Sequence, residues 1–431
     1  MIRYLFALCL GTSAWAEELP HAEPVFPPLD MAEVELGQLL FYDPILSGSR
    51  TVSCATCHHP RFATSDGVSL GIGDGGIGLG QERVFDAKNR PEQRIPRNSP
   101  ALFNLGATEF TSFFHDGRLE ADDTRPSGIR TPLGAEMEQG FASVLSAQTM
   151  FPVLSGDEMA GHYSENDVAQ AVRQGFLTGP GGAWDILSKR IEALPEYRDR
   201  FDQVIGGRPI AFTDISNMIA AFIAFEWRAD DSPFDRHLRG QDVLDAVELR
   251  GMALFYGEAR CASCHSGRFQ TDHGFHAIAM PQIGPGKAAR FERHNRDVGR
   301  MRVTGRAEDA YAFRTPSLRN VTQTAPYGHS GAYASLESVI RHHLDPVRGL
   351  RDYTSEQAVL PGEPFETDFV LMTQGAEVDD IAQANALPAQ NLSDEQIADL
   401  LAFLGALTDE TALNGRLGVP DVVPSGLTVE K

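Results

Sequence analysis

Apolar side chains return at helical spacing along most of this chain, and the runs are separated by proline, glycine and aspartate. From Met31 to Tyr42 the positions Val34, Leu36, Leu39, Leu40 and Phe41 follow the helical period. Asp43-Pro44 stops the run, because the residue before a proline is pushed out of the helical region. Asp167 is placed to cap a helix over Val168 to Phe176, and Trp184 to Val204 reads as helix broken at Pro195. Thr213 to Trp227 puts Ile215, Met218, Ile219, Phe222 and Ile223 on one face, and Asp245 to Tyr256 and Leu336 to Leu344 are further helices. Ser393-Asp-Glu-Gln396 is a capping box that opens a last helix with Ile397, Leu400, Leu401, Leu404 and Leu407 inward. The pattern predicts a mainly α fold with little β. Two stretches stand apart. Glu17 to Pro28 is proline-rich and extended, and the segment between His59 and Arg97 reads as a flexible loop centred on Gly71-Ile-Gly73-Asp-Gly75-Gly76-Ile-Gly78-Leu-Gly80.

A chain of 431 residues exceeds one ordinary core, so two domains are expected, over residues 17–230 and 231–411, with 412–431 as a C-terminal tail. Asp230-Asp231-Ser232-Pro233 reads as the hinge. Residues 1–16 read as a signal peptide: Arg3 is the positive start, Leu5 to Leu10 the apolar run, and Ala14-Trp15-Ala16 the cleavage site. The run is too short to span a bilayer, so export to an oxidising compartment is expected, without a membrane span. The net charge of −22, or −23 once Arg3 leaves, excludes nucleic acid as a partner. Such acidity keeps an exported protein soluble or attracts a basic redox partner, and composition does not separate the two.

Two motifs change this picture. Cys54-Ala-Thr-Cys57-His58 returns as Cys261-Ala-Ser-Cys264-His265, and together they use every cysteine left when Cys9 departs. Cys-x-x-Cys-His is a c-type haem attachment signature: two thiols on one turn reach the two vinyl groups of a porphyrin, and the adjacent imidazole lies under the iron. The competing reading of one copy is a zinc or redox Cys-x-x-Cys, which two copies with no spare cysteine disfavour. Other segments repeat as well. Gly37 to Tyr42 corresponds to Gly251 to Tyr256, Asn98 to Asn104 to Thr315 to Asn320, and Phe114 to Gly117 to Gly328 to Gly331. One duplication accounts for these matches, which predicts two c-type-cytochrome-like haem domains. The Gly-x-Gly-x-x-Gly within the glycine run has no strand before it and no helix after it, so it is a weak nucleotide signal.

In order and spacing these motifs resemble the bacterial di-haem cytochrome c peroxidases and their MauG-type relatives, over roughly residues 30–407. The resemblance implies two covalently bound haem c groups facing each other across one calcium ion. His58 and His265 become the proximal ligands. Asn98 and the carbonyls of Thr324 and Pro326 become the calcium ligands, although a turn role before Pro100 would explain Asn98 equally well. Gln148, Pro152 and Glu158 match the distal spacing of MauG-type enzymes. Glu158 is then the acid/base that takes a proton from peroxide and returns it to the departing oxygen, Gln148 a hydrogen-bond donor and Pro152 an apolar wall.

Two positions depart from the family pattern. His115 stands where many peroxidases carry tryptophan, and His343, beside His342, stands where they carry methionine or tyrosine at the second iron. The alignment favours His343 as ligand over His342; the alternative is a surface pair. The resemblance implies a periplasmic peroxidase that reduces hydrogen peroxide with electrons from a small cytochrome c or cupredoxin. The alternative is an oxidase that uses peroxide to oxidise side chains of a partner protein or peptide, and an imidazole at the second iron moves weight toward it. A pure electron-transfer cytochrome would leave Glu158 without a role. The sequence leaves a homodimer open.

Overall fold

The computed structural model describes residues 19–20, 23–162, 165–287, 292 and 294–431. The expected signal peptide, residues 1–16, lies outside the described residues. Helix makes up 40% of the structure and strand 5%, so the fold is mainly α. Among the described residues three small antiparallel sheets join loops: Gly76–Ile77 with Val84–Phe85, Ser112–Phe113 with Leu119–Ala121 and Ile129–Arg130, and Phe275–His276 with Phe313–Arg314. No helix among the described residues is long and apolar enough to cross a membrane.

Helix ends follow local chemistry. The first helix runs Met31–Tyr42; Asp30 caps it by accepting from the Ala32 N–H at 2.9 Å, and Asp43 is extended before Pro44. Asp245 caps Ala246–Phe255 and Ser393 caps Asp394–Gly405, each closing a capping box. Asp167 is not the cap of its helix. Asn166 accepts from Ala169 N–H (2.8 Å), while the Asp167 carboxylate turns to Arg190. The break at Pro195 falls at Ala193–Leu194, and Pro195 starts the next helix, Pro195–Ile205. In Asp394–Gly405, which a short helix Glu410–Asn414 follows, Phe403 rather than Leu401 is buried with Ile397, Leu400 and Leu404.

The largest apolar core contains Leu40, Phe41, Trp184, Phe222 and Trp227, and a second contains Phe234, Phe255, Phe403 and Leu404. The two are built alike. Met31–Tyr42 crosses Phe212–Glu226 at Gly37, where a Cβ would fall 2.6 Å from the Met218 carbonyl carbon and 2.9 Å from Phe222 Cβ. Ala246–Phe255 crosses Asp394–Gly405 at Gly251, where a Cβ would fall 2.6 Å from the Asp399 carbonyl carbon and 2.8 Å from Phe403 Cβ. The rings behind each crossing match too. Phe41 and Tyr42 lie 5.3 and 6.1 Å from Phe222, and Phe255 and Tyr256 lie 5.2 and 6.1 Å from Phe403. Asn104 and Asn320, both left-handed, each accept a backbone N–H at the far side of their core, from Ala229 (2.8 Å) and Asp409 (2.7 Å).

Buried ion pairs join sequence-distant segments. Arg97 reaches both Asp116 (2.8 Å) and Asp297 (2.6 Å), and Arg94 holds Asp368 at 2.8 Å. Removing one member would strand a buried charge, so these pairs fix relative position more than they add stability. The expected hinge is pinned. Asp409 accepts from the Asp230 and Asp231 N–H groups, and buried Asp235 accepts from the Ser232 hydroxyl and from Arg319. Residues 412–431 fold back onto the first core, burying Ala412 and Val423 there.

Candidate active site

Each Cys-x-x-Cys-His motif is a short helical turn followed by a left-handed residue that aims a carbonyl at the histidine. In the first, Cys54–Cys57 is one α-turn, the His58 N–H bonds the Cys54 carbonyl at 3.0 Å, and His58 Nδ1 donates to the Thr64 carbonyl at 3.0 Å. In the second, the His265 N–H bonds the Cys261 carbonyl at 2.9 Å and Nδ1 donates to the Gln270 carbonyl at 3.0 Å. A carbonyl only accepts, so both rings carry their proton on Nδ1 and keep the Nε2 lone pair for a metal. Burial lowers both histidines, His265 to about 4, which keeps them neutral.

The donors fit haem better than zinc. Burial pushes the Cys54 and Cys261 thiols up to about 12, which keeps them as thiols in the chain alone, and the four motif cysteines form no disulfide. Cys264, Asp272 and His276 form the one cluster of three metal-capable side chains among the described residues, but His276 is bonded to Asp272 at 2.8 Å and Cys264 belongs to the attachment pair. Arg314 has its pKa lowered to about 10 by desolvation, and no carboxylate among the described residues pairs with it. A half-buried cation bonded, among the described residues, only to the Phe114 and Thr315 carbonyls fits a group that brings anionic propionates.

The second motif has a partner across from it. His343, on Leu336–Leu344, donates Nδ1–H to the Val339 carbonyl at 2.7 Å, and its ring centre lies 6.4 Å from that of His265. Two metal–nitrogen bonds of about 2 Å, plus about 1.1 Å from each nitrogen to its ring centre, give about 6 Å. The pair therefore fits one iron held between two imidazoles. His342 has both nitrogens engaged: Nε2 donates to the Ile278 carbonyl (2.8 Å), and Nδ1 accepts from the Tyr333 hydroxyl (2.9 Å).

Near the first motif, Gln148 lies on Val144–Thr149, Pro152 opens the Pro152–Leu154 turn, and Glu158 sits in a π-helical turn, Gly156–Ala160. All three side chains are half-accessible. Glu158 is close enough to Cys57 to raise that thiol, after burial and Asp66. Burial raises Glu158 itself above the ordinary carboxylate range, opposed by Lys287 and Arg118. Lys287 is lowered to about 8, by burial first and then by Arg118 and Arg97. The glycine run is not a flexible flap: Gly71 to Gly76 are buried, and the Arg83 guanidinium donates to the carbonyls of Ile72 (2.5 Å), Gly73 (2.7 Å) and Gly78. It lies directly on the candidate base. The Asp74 N–H bonds the Glu158 carbonyl at 2.9 Å, and a Cβ on Gly73 would fall 2.7 Å from Glu158 Cα.

Residues 31–243 match the family described as di-haem cytochrome c peroxidase. MauG, the methylamine utilization protein of Methylorubrum extorquens, is 31% identical over 332 residues, 76% of this chain and 72% of the relative. The chain belongs to the di-haem cytochrome c peroxidase and MauG family. Cytochrome c551 peroxidase of Pseudomonas aeruginosa is 30% identical over 318 residues, 73% of this chain and 72% of that one. A solved MauG-like protein associated with microbial copper homeostasis is 26% identical with a TM-score of 0.58, covering 95% of this chain and 97% of its own. The di-haem peroxidase BthA of Burkholderia thailandensis shares the fold at 20% identity and a TM-score of 0.56, covering 94% of each chain. Membership in this family implies two haem c groups.

His115, expected to stand where many peroxidases carry tryptophan, is held in place. Its Nε2 donates to the Asn98 carbonyl at 3.0 Å, and it is lowered to about 4 by burial and Arg97. Asn98 donates its own Nδ2 to the carbonyls of Val68 (2.9 Å) and Ser69 (3.3 Å), which turns Oδ1 away as an acceptor, and its N–H meets the His329 carbonyl at 2.9 Å. Asn98 thus adjoins the turn after Pro326, and its Oδ1 is an amide oxygen, the hard donor type that suits calcium. Buried His329 stacks on Phe313 at 3.7 Å with neither ring nitrogen bonded. Arg83, Lys287 and His329 were not singled out from sequence as site residues. Only His329 had a signal there, as the repeat partner of His115.

Proposed function

We propose that this protein is an exported, periplasmic di-haem peroxidase that reduces hydrogen peroxide with electrons from a small redox protein. The observation that carries the reading is Glu158, a half-buried carboxylate with a raised pKa beside the first attachment turn, held by a glycine loop that contains no histidine. When bound, the haems supply the iron that meets peroxide and the two electrons that reduce it. The chain's own part is proton handling. Glu158 takes a proton from one peroxide oxygen and returns it to the departing oxygen, with Gln148 orienting the pair and Pro152 limiting water. Arg118 and Lys287 stabilise the ionised form of Glu158 that accepts the first proton and is restored when the proton is returned.

His58 holds the first iron and His265 with His343 the second. The matched crossings at Gly37 and Gly251 support two duplicated haem domains, 17–230 and 231–411, and Asn98 with the Thr324 and Pro326 carbonyls is assigned to one calcium ion between them. A second reading, oxidation of a partner protein, is favoured by His343: imidazole at the second iron gives a lower potential than methionine and suits a high-potential cytochrome donor less well. Stopped-flow mixing of the diferric protein with hydrogen peroxide, followed by small cytochrome or cupredoxin donors, separates them. Rapid donor oxidation supports the peroxidase. A long-lived oxidised state that these donors do not quench supports the oxidase.

A further inference from the structure

The last residues of the chain reach the first haem attachment turn. Residues 412–431 run over the first core, where Leu413, Leu417, Val419, Leu427 and Val429 pack against its apolar side chains. Two fully buried carboxylates hold them. Glu226 accepts the N–H groups of Leu417 (2.7 Å) and Gly418 (2.8 Å), and Asp43 accepts the Ser425 hydroxyl (2.6 Å) beside that of Tyr197 (2.8 Å). This path brings Glu430 to two groups at once. Its carboxylate accepts the hydroxyl of Thr56, which lies between Cys54 and Cys57 and itself accepts the Ser53 N–H at 3.0 Å. Its other oxygen lies 3.6 Å from Arg83, whose side chain is 4% exposed and whose remaining donors hold the glycine loop under Glu158.

We propose that Glu430 is a positioning residue for the first haem: it ties the attachment turn to the glycine loop that carries Glu158, and it sets a fixed negative charge beside that haem. The proposal rests on the reading that Cys54, Cys57 and His58 hold the peroxide-handling haem. A carboxylate held in this position favours the ferric over the ferrous state, so its removal raises the potential of that haem and leaves the other unchanged. It also makes the tail part of the catalytic half.

The test is a spectroelectrochemical titration of the purified di-haem protein carrying Glu430→Gln, with Thr56→Val as a second variant that keeps the carboxylate but removes its hydroxyl partner. The expected result is an upward shift of the first haem's midpoint potential in Glu430→Gln, a smaller shift in Thr56→Val, and an unmoved second haem in both. Glu430→Asp should recover part of the shift. A wild-type first-haem potential in Glu430→Gln overturns the proposal. So do equal shifts at both haems, which would mark a general loosening. Peroxide turnover by the wild-type protein is measured separately, so a failure of the proposed activity is distinguishable from a failure of the clasp.

Discussion

Replacing Glu158 by glutamine keeps the length of the side chain and its place in the Gly156–Ala160 turn, but removes the group that accepts and returns a proton. The surroundings supply no substitute. Asp157 is engaged by Gln93 Nε2 (2.8 Å) and faces His162 (3.7 Å), while Arg118 and Lys287, the charges that act on Glu158, already carry protons at neutral pH. Loss of a positioned acid/base lowers the rate about 100-fold or more, which is about 2.7 kcal/mol or more of barrier. Stopped-flow absorbance under excess peroxide reads this rate, and a haemochrome assay checks that both haems are attached. The pH profile adds a sign. Glu158 must be ionised to take the first proton, and burial raises its pKa above the ordinary 4.5. The wild-type rate should therefore fall as pH drops through that raised value, on an acid limb displaced upward, and the limb should vanish in Glu158→Gln. A variant that cleaves peroxide at the wild-type rate, or keeps the same acid limb, would remove Glu158 from the mechanism.

His343→Gly should convert the second haem from low-spin to high-spin in EPR, while His342→Gly should not, because both His342 nitrogens are engaged; the opposite pattern would reassign the ligand. The fully oxidised protein should show one high-spin and one low-spin ferric haem and react with peroxide without prior reduction, since the loop on Glu158 holds no histidine and His115 is bonded to Asn98. Two low-spin bis-histidine signals would refute this. Gly37→Ala and Gly251→Ala should each cost about 3 kcal/mol, because the new methyl meets a carbonyl of the crossing helix; guanidinium melts followed at the haem bands measure it, and a loss under about 0.5 kcal/mol would contradict the packing argument.

Where function and local geometry coincide, the sequence was readable. The Met31–Tyr42 helix has its predicted ends because Asp30 and Asp43-Pro44 act within a few residues, and the Ser393 box is likewise local. Asp167 misled because Asn166, one residue earlier, is an equally good cap and Arg190, distant in sequence, draws the aspartate away. The glycine run looked flexible because composition cannot show Arg83 reaching back to bond three of its carbonyls. Lys287 carries no motif, and only folding brings its charge to Glu158. Residues 412–431 look like a tail in the sequence because their apolar positions are too sparse to mark an element. They make sense only against Asp43 and Glu226.

That return of the chain to its beginning sets an order of assembly. An exported chain is delivered from its N-terminal side, so the first half arrives before Leu417, Gly418, Ser425 and Glu430 do. Until they emerge, Glu226 lacks the N–H groups of Leu417 and Gly418, Asp43 has Tyr197 but not Ser425, and the first core stays open where Leu413, Leu417, Val419, Leu427 and Val429 pack. The half that is synthesised first is therefore the half that is completed last, and a chain stopped a few residues short would be defective near its start.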